Sequence, residues 1–179
     1  MPIYKRFVII GPTSSGKSTF AGKLASKING DFIELDALHW EPGWVEASDE
    51  AFRERADKAT SKDAWVVAGN YRQVRDIVWP KAQAVIWLDY AFPVVFWRLI
   101  SRIVHRSATK QELFNGNREQ FWRHMKLWSE ESLIYWLFKS YWRLKRNYTN
   151  IFAQPEHDHL HVFHFKRPKD AIKWLQYLG

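Results

Sequence analysis

RFVIIGPTSSGKSTF, Arg6 to Phe20, is the stretch that decides the fold. An apolar run, Arg6 to Ile10, stops at a glycine, and a helical pattern begins at Lys17. Between them Gly11, Gly16, Lys17 and Ser18 satisfy G-x-x-x-x-G-K-[ST], which a chain of this length meets by chance roughly one time in a hundred. Each residue type has a physical reason. Glycines let backbone N–H groups converge on phosphate oxygens, and the helix that follows turns its positive end toward them. The expectation is a phosphate cradle over Gly11, Ser14, Ser15 and Gly16. Lys17 is expected to reach the β- and γ-phosphates of ATP, Ser18 to ligate Mg²⁺, and Thr19 to donate to the α-phosphate.

Working outward, short apolar runs alternate with helical patterns. Strands are predicted over Arg6 to Ile10, Asp31 to Leu35, Ala64 to Val67, Ala84 to Leu88 and Leu160 to Phe165. Helices are predicted over Lys17 to Ile28, Ser48 to Thr60, Pro93 to Ala108, Arg118 to Leu127, Glu130 to Tyr148 and Pro168 to Leu178, with Ser48 and Ser129 as N-caps. Runs at the first, third and fourth strands lack in-out alternation, as strands covered on both faces do. The expected fold is α/β, a doubly wound parallel sheet in one domain over residues 1–179. Ligands of such sheets bind outside the carboxyl ends of the strands. Those ends read Gly11, Asp36, Gly69-Asn70-Tyr71, Asp89 and Lys166-Arg167-Pro168, so one cleft is expected to gather them.

Composition narrows the class. The 11 Trp, 7 Tyr and 12 Phe exclude a disordered chain, and 179 residues suffice to bury roughly two-thirds of the unfolded surface. Absence of cysteine excludes a disulfide scaffold and a thiolate zinc site. No apolar run approaches the ~20 residues of a membrane span, and the first residues lack a secretory core, so a soluble cytoplasmic domain is expected. Net charge is +8, and residues 97–148, with 11 basic and 4 acidic side chains, supply +7 of it. That bias points to a polyanion: nucleotide phosphates, nucleic acid or an anionic membrane surface. On the helix after Pro93, Arg98, Arg102 and Arg106 at i, i+4 and i+8 make one stripe, suited to a transferring phosphoryl group.

Smaller features have plainer readings. His157, His159 and His161 are expected on the surface rather than around a metal, and the Trp122, Trp128, Trp136 and Trp142 series as core or a self-association face. Trp40 and Trp44, in a loop with Pro42 and Gly43, either stack on a ligand or pack the loop.

The chain resembles adenylate kinase and related small nucleotide kinases through the phosphate loop and the spacing from Asp89 to Arg98 and Arg102. More narrowly, LDALHWEPGW (Leu35 to Trp44), GNY (Gly69 to Tyr71) and NGNRE (Asn115 to Glu119) resemble the adenylate-kinase-like proteins labelled topology modulation proteins. The resemblance implies a three-layer P-loop NTPase fold, five parallel strands in the order 2-3-1-4-5, and a small helical lid near residues 103–119. It implies that Arg98 and Arg102 meet the nucleotide, that Arg106 and Arg118 close from the lid, and that Arg167 and Pro168 border the base. It also implies an acceptor pocket near Asp36, Trp40, Trp44, Arg53, Asn70, Tyr71, Arg72 and Arg75.

In the resembled proteins an aspartate usually precedes the GNY segment and holds Mg²⁺ through water. Ala68 stands there, so Asp89 or Asp36 is the expected substitute. The function expected is ATP-dependent phosphoryl transfer to a small nucleotide, nucleoside or hydroxyl compound. The competing expectation is a nucleic-acid-associated ATPase or a regulatory ATP-binding module. Asp36 separates two kinds of acceptor. A hydroxyl needs a carboxylate to orient it and take its proton, whereas a phosphate needs arginines such as Arg53, Arg72 or Arg75. A third role for Asp36 is to cap the following turn.

Overall fold

An apolar strand without alternation should be covered on both faces, and Phe7 to Ile10 of β1 (Arg6–Ile10) are 0–1% exposed in the computed structural model. That structure describes residues 4–109, 115 and 133–178. Alternate side chains of each strand enter two cores. Phe7, Ile9, Val66, Ala68 and Ile86 pack on one face, and Val8, Ile10, Val67 and Val85 on the other.

The other sheet strands are β2 (Asp31–Glu34), β3 (Trp65–Ala68), β4 (Ala84–Leu88) and β5 (His161–Phe165). All pair in parallel, in the order β2-β3-β1-β4-β5, which is the order expected. The strand order reverses between β1 and its neighbours β3 and β4, so the residues that follow these strands open into a crevice.

Helices follow the sequence signals closely. They are α1 (Lys17–Ile28), α2 (Leu35–His39), α3 (Asp49–Ala59), α4 (Arg75–Val78), α5 (Phe92–Thr109), α6 (Leu133–Ile151) and α7 (Pro168–Tyr177). Ser48 caps α3 by accepting from Ala51 N–H, with Asp49 and Glu50 in the first turn. Leu24 of α1 is fully buried, a placement that contributes about 1.5–3 kcal/mol.

Three expectations change. After β2 the chain forms α2 and a small hairpin, Trp40–Glu41 against Val45–Glu46, where the sequence reading had only a loop. Elements of two to five residues carry too few side chains for periodicity to register. Of the two readings for the tryptophan series, core fails for Trp136 and Trp142, which are 46% and 57% exposed because Ile134, Leu137, Tyr141 and Tyr148 form the buried stripe of α6. His159 and His161 are exposed as expected, meeting Trp79 O and Tyr4, but the His157 side chain is 11% exposed, packed against Trp79 beside Glu156. The helix expected over Arg118 to Leu127, Trp122, Trp128 and the Ser129 cap lie outside the described residues, as does the lid beyond Thr109 apart from Asn115.

Candidate active site

The turn from β1 into α1 is built for close approach. Gly11 has φ +150°, and a Cβ there would stand 2.6 Å from Leu88 O and 2.9 Å from Ser15 Oγ. Gly16 has φ +93° at the N-cap of α1, so no side chain blocks the helix N-terminus. Asn70 clasps the loop from β3: its Oδ1 accepts from Gly11 N–H at 3.2 Å, and its Nδ2 donates to Gly11 O at 2.6 Å. The Ser14 and Ser15 hydroxyls are buried with no hydrogen-bond partner. Buried polar atoms rarely stay unsatisfied. Together with the bare helix N-terminus, they fit a bound polyphosphate, with Ser18 exposed beside them for Mg²⁺. Asn70→Ala is therefore expected to raise the Kd for an ATP analogue about tenfold through loss of the clasp, measured by calorimetry.

Lys17 folds back across this loop, donating to Gly11 O and Pro12 O at 3.0 Å each. Burial pulls its ammonium below the usual lysine range; Asp36 and Glu34 oppose that shift and Arg102 reinforces it. A cation so placed is stabilised by incoming phosphate charge. Arg102 of α5 thus acts electrostatically on Lys17, as expected of the arginine stripe. Arg98, one turn earlier, donates to Ser15 O at 2.9 Å and lies over the Tyr90 ring at 5.3 Å. Arg106 belongs to α5, but its side chain lies outside the described set, and Arg118 lies wholly outside it.

Beside the loop is a groove of about 670 Å³ between α1 and α7, lined by Ser14, Gly16, Thr19, Arg98, Pro168 and Gln176 among others. Its volume suits a nucleotide. Pro168 borders it as expected. Arg167 turns its Nε to Asp170 at 2.7 Å, so it serves the first turn of α7.

On the other side of the loop lies the segment after β2. The Tyr71 hydroxyl donates to Asp36 Oδ1 at 2.7 Å. Burial first, then the Asp36 charge and this hydrogen bond, holds Tyr71 far above the usual tyrosine range, so it remains a donor. Trp40 and Trp44 meet edge to face at 5.6 Å. From the lid region Asn115 donates its Nδ2 to Trp40 O and to Ala37 O.

Two of the three arginines expected here are engaged elsewhere. Arg53 forks onto Asp76 at 2.7 and 2.9 Å, and Arg75 lies over the Trp79 ring at 4.9 Å. Arg72 is exposed at the start of a short turn. Asp89 is 4% exposed, and its Oδ2 meets Lys145 at 3.1 Å and His164 at 2.9 Å. It thus ties β4 to α6 and β5.

Glu34 is the residue the sequence reading missed. It pairs in register with Ala68 on the adjacent strand and acts electrostatically on Lys17. The signal was present as Glu34-Leu35-Asp36, two carboxylates two residues apart at the end of a strand.

Comparison with known proteins agrees with this geometry. The model of the AAA family, ATPases associated with various cellular activities, matches residues 7–89, from β1 to Asp89. No curated protein matches the chain in sequence. Among solved structures, a shikimate kinase from Bacteroides thetaiotaomicron aligns at TM-score 0.55 and 17% identity, covering 98% of this chain and 97% of that one. A sugar kinase from Janibacter sp. aligns at 0.52 and 16%, covering 98% and 94%. A gluconokinase from Sinorhizobium meliloti aligns at 0.50 and 18%, covering 97% and 93%. The chain has the α/β fold of P-loop NTPases, and that fold is similar to the structures of these sugar, gluconate and shikimate kinases.

Proposed function

We propose that residues 1–179 act as one ATP-dependent phosphotransferase domain whose acceptor is a small hydroxyl compound. The observation that carries this reading is the Asp36 carboxylate, held by Tyr71 beside Lys17, while Arg53 and Arg75 are turned to other partners. A phosphate acceptor would call on those arginines, as in the narrower adenylate-kinase-like form of the proposal. The kinase-like neighbours, each named for a hydroxylated acceptor, support the hydroxyl form.

In this mechanism Asp36 orients the acceptor hydroxyl and takes its proton as the oxygen bonds to the γ-phosphorus. The bond from that phosphorus to the β–γ bridging oxygen breaks, and ADP leaves with the electron pair. Lys17 and Arg102 stabilise the charge spread over the transferring group, with Arg106 and Arg118 closing from the lid. Arg98 and Pro168 hold the nucleotide along the groove. Mg²⁺, when bound, would supply neutralising charge to the phosphates; Ser18 would hold it directly, and Glu34 would take the part for which Ala68 has no carboxylate. With its Oδ2 on Lys145 and His164, Asp89 is the less suited of the expected acids.

The test is ADP formation with a panel of small alcohols, nucleosides, nucleoside monophosphates and DNA. Stimulation by a hydroxyl compound supports the reading. Stimulation by DNA alone, with binding that falls steeply with salt, favours the nucleic-acid module instead. Glu34→Gln is expected to raise the Mg²⁺ concentration for half-maximal turnover about tenfold, a shift of about 1.4 kcal/mol, seen by titrating Mg²⁺ at saturating ATP.

A further inference from the structure

We propose that the acceptor carries a protonated amine as well as its hydroxyl. This rests on the phosphotransfer reading above and names the substrate class for the same site. Four rings run in a contiguous series from Tyr71, the partner of Asp36: Tyr71 lies 4.7 Å from His39 between centroids, His39 lies 5.0 Å from Trp40, and Trp40 lies 5.6 Å from Trp44. The Tyr71 hydroxyl, which donates to Asp36 at 2.7 Å, is also influenced by Trp40. Indole and phenol faces are negative and attract a cation within about 6 Å, tryptophan most strongly.

Among the described residues, two carboxylates stand on the same side of the cleft. Asp36 and Glu46 both act on the Tyr71 hydroxyl, and Glu46, on the hairpin, stands 3.9 Å from His39 Nε2. Among the described residues, the arginines of α3 and α4 answer other groups: Arg53 answers Asp76, Arg55 answers Glu41, and Arg75 lies on Trp79. His39 adds a second, independent sign of a ligand. It is 5% exposed, yet its Nδ1 has no hydrogen-bond partner within the ring cluster. An ammonium group beside this cluster is attracted by the carboxylates and by the ring faces, and it donates to an acceptor nitrogen. A carboxylate in the same place meets the like charge of Asp36 and Glu46, and the nearby Arg55 guanidinium is already held by Glu41 and Leu38 O.

The experiment compares two isosteric sets in a coupled ADP assay at pH 7: glucosamine, glucose and gluconate; ethanolamine, ethylene glycol and glycolate. In at least one set the amine is expected to exceed the neutral compound about tenfold in kcat/KM, with the acid lowest. Glu46→Gln and, separately, Trp44→Leu are expected to lower the amine-to-neutral ratio at least threefold, the equivalent of about 0.65 kcal/mol, with circular dichroism confirming the fold. Turnover that favours the acid or the neutral compound overturns the amine while leaving phosphotransfer standing. If none of the six yields ADP, phosphotransfer to these classes fails. Thermal shifts of the six with a non-hydrolysable ATP analogue then decide the cation preference: a larger shift from the amines supports it, and equal shifts overturn it.

Discussion

Lys17→Met is expected to lower kcat/KM for phosphoryl transfer by about 10³-fold, the upper end for removing one preorganised donor to transition-state charge. The fold should survive. Methionine keeps the length of the side chain, and of the two backbone carbonyls that Lys17 now meets, Gly11 O and Pro12 O, the first keeps its hydrogen bond from Asn70 Nδ2 at 2.6 Å. A linked pH effect checks the same assignment. The native Lys17 is held below its ordinary value by burial, so the unfolded chain binds the proton more tightly than the folded one. Stability without ligand should therefore rise with pH across the window from the lowered native value up to the unfolded value of 10.5. Lys17→Met should remove that part of the slope. Polyphosphate binding acts in the opposite sense: it favours the charged ammonium, so binding in that window takes up a proton. Calorimetry in buffers of different ionisation enthalpy reads the uptake directly. Equal heats in all buffers, or near-normal turnover of Lys17→Met, would remove this lysine from the mechanism.

The phosphate loop was legible because its residues are close in sequence and each answers a local demand. Gly11 and Gly16 take backbone angles that a side chain resists, and Lys17 and Ser18 open a helix whose apolar face follows at Phe20, Ala21 and Leu24. Strand order, too, was available, through the resemblance rather than through patterning. The acceptor side was less legible because its geometry depends on pairings across the sheet. Nothing local to Glu34 says that Ala68 lies beside it; register does. Likewise Arg53 looked like an anion ligand until α3 packed near Asp76, 23 residues away. Asp89 shows the same limit. A carboxylate at a strand end suggests a metal ligand, but only tertiary structure delivers Lys145 and His164 to it. Asn70 was singled out as a substrate contact, whereas its amide spans the loop backbone on both sides of Gly11.

Asp36→Asn distinguishes a hydroxyl acceptor from a phosphate acceptor, and kcat is expected to fall by about 10²-fold or more while the Kd for ATP barely changes. The substitution is conservative in shape. An amide oxygen still accepts from the Tyr71 hydroxyl at the position now 2.7 Å away, so the segment after β2 should keep its place. What is lost is the ability to take a proton from an attacking hydroxyl. Lys17 also loses one of its two opposing carboxylates, Glu34 being the other, so its ammonium should move further below the usual range. That change is confined to the phosphate side and is visible as a change in proton uptake on ATP binding. Tyr71→Phe is the companion variant. It removes the donor to Oδ1 but leaves the carboxylate, so it should cost less in kcat than Asp36→Asn. If Asp36 only capped the turn, the two variants would differ little in kcat, and both would lower thermal stability together. If the acceptor were a phosphate, already anionic and needing no base, Asp36→Asn would leave kcat near normal and tighten acceptor binding by removing a repulsive charge. A tightened KM with unchanged kcat would thus overturn the hydroxyl acceptor and the amine selectivity built on it, while leaving ATP bound at the loop after β1.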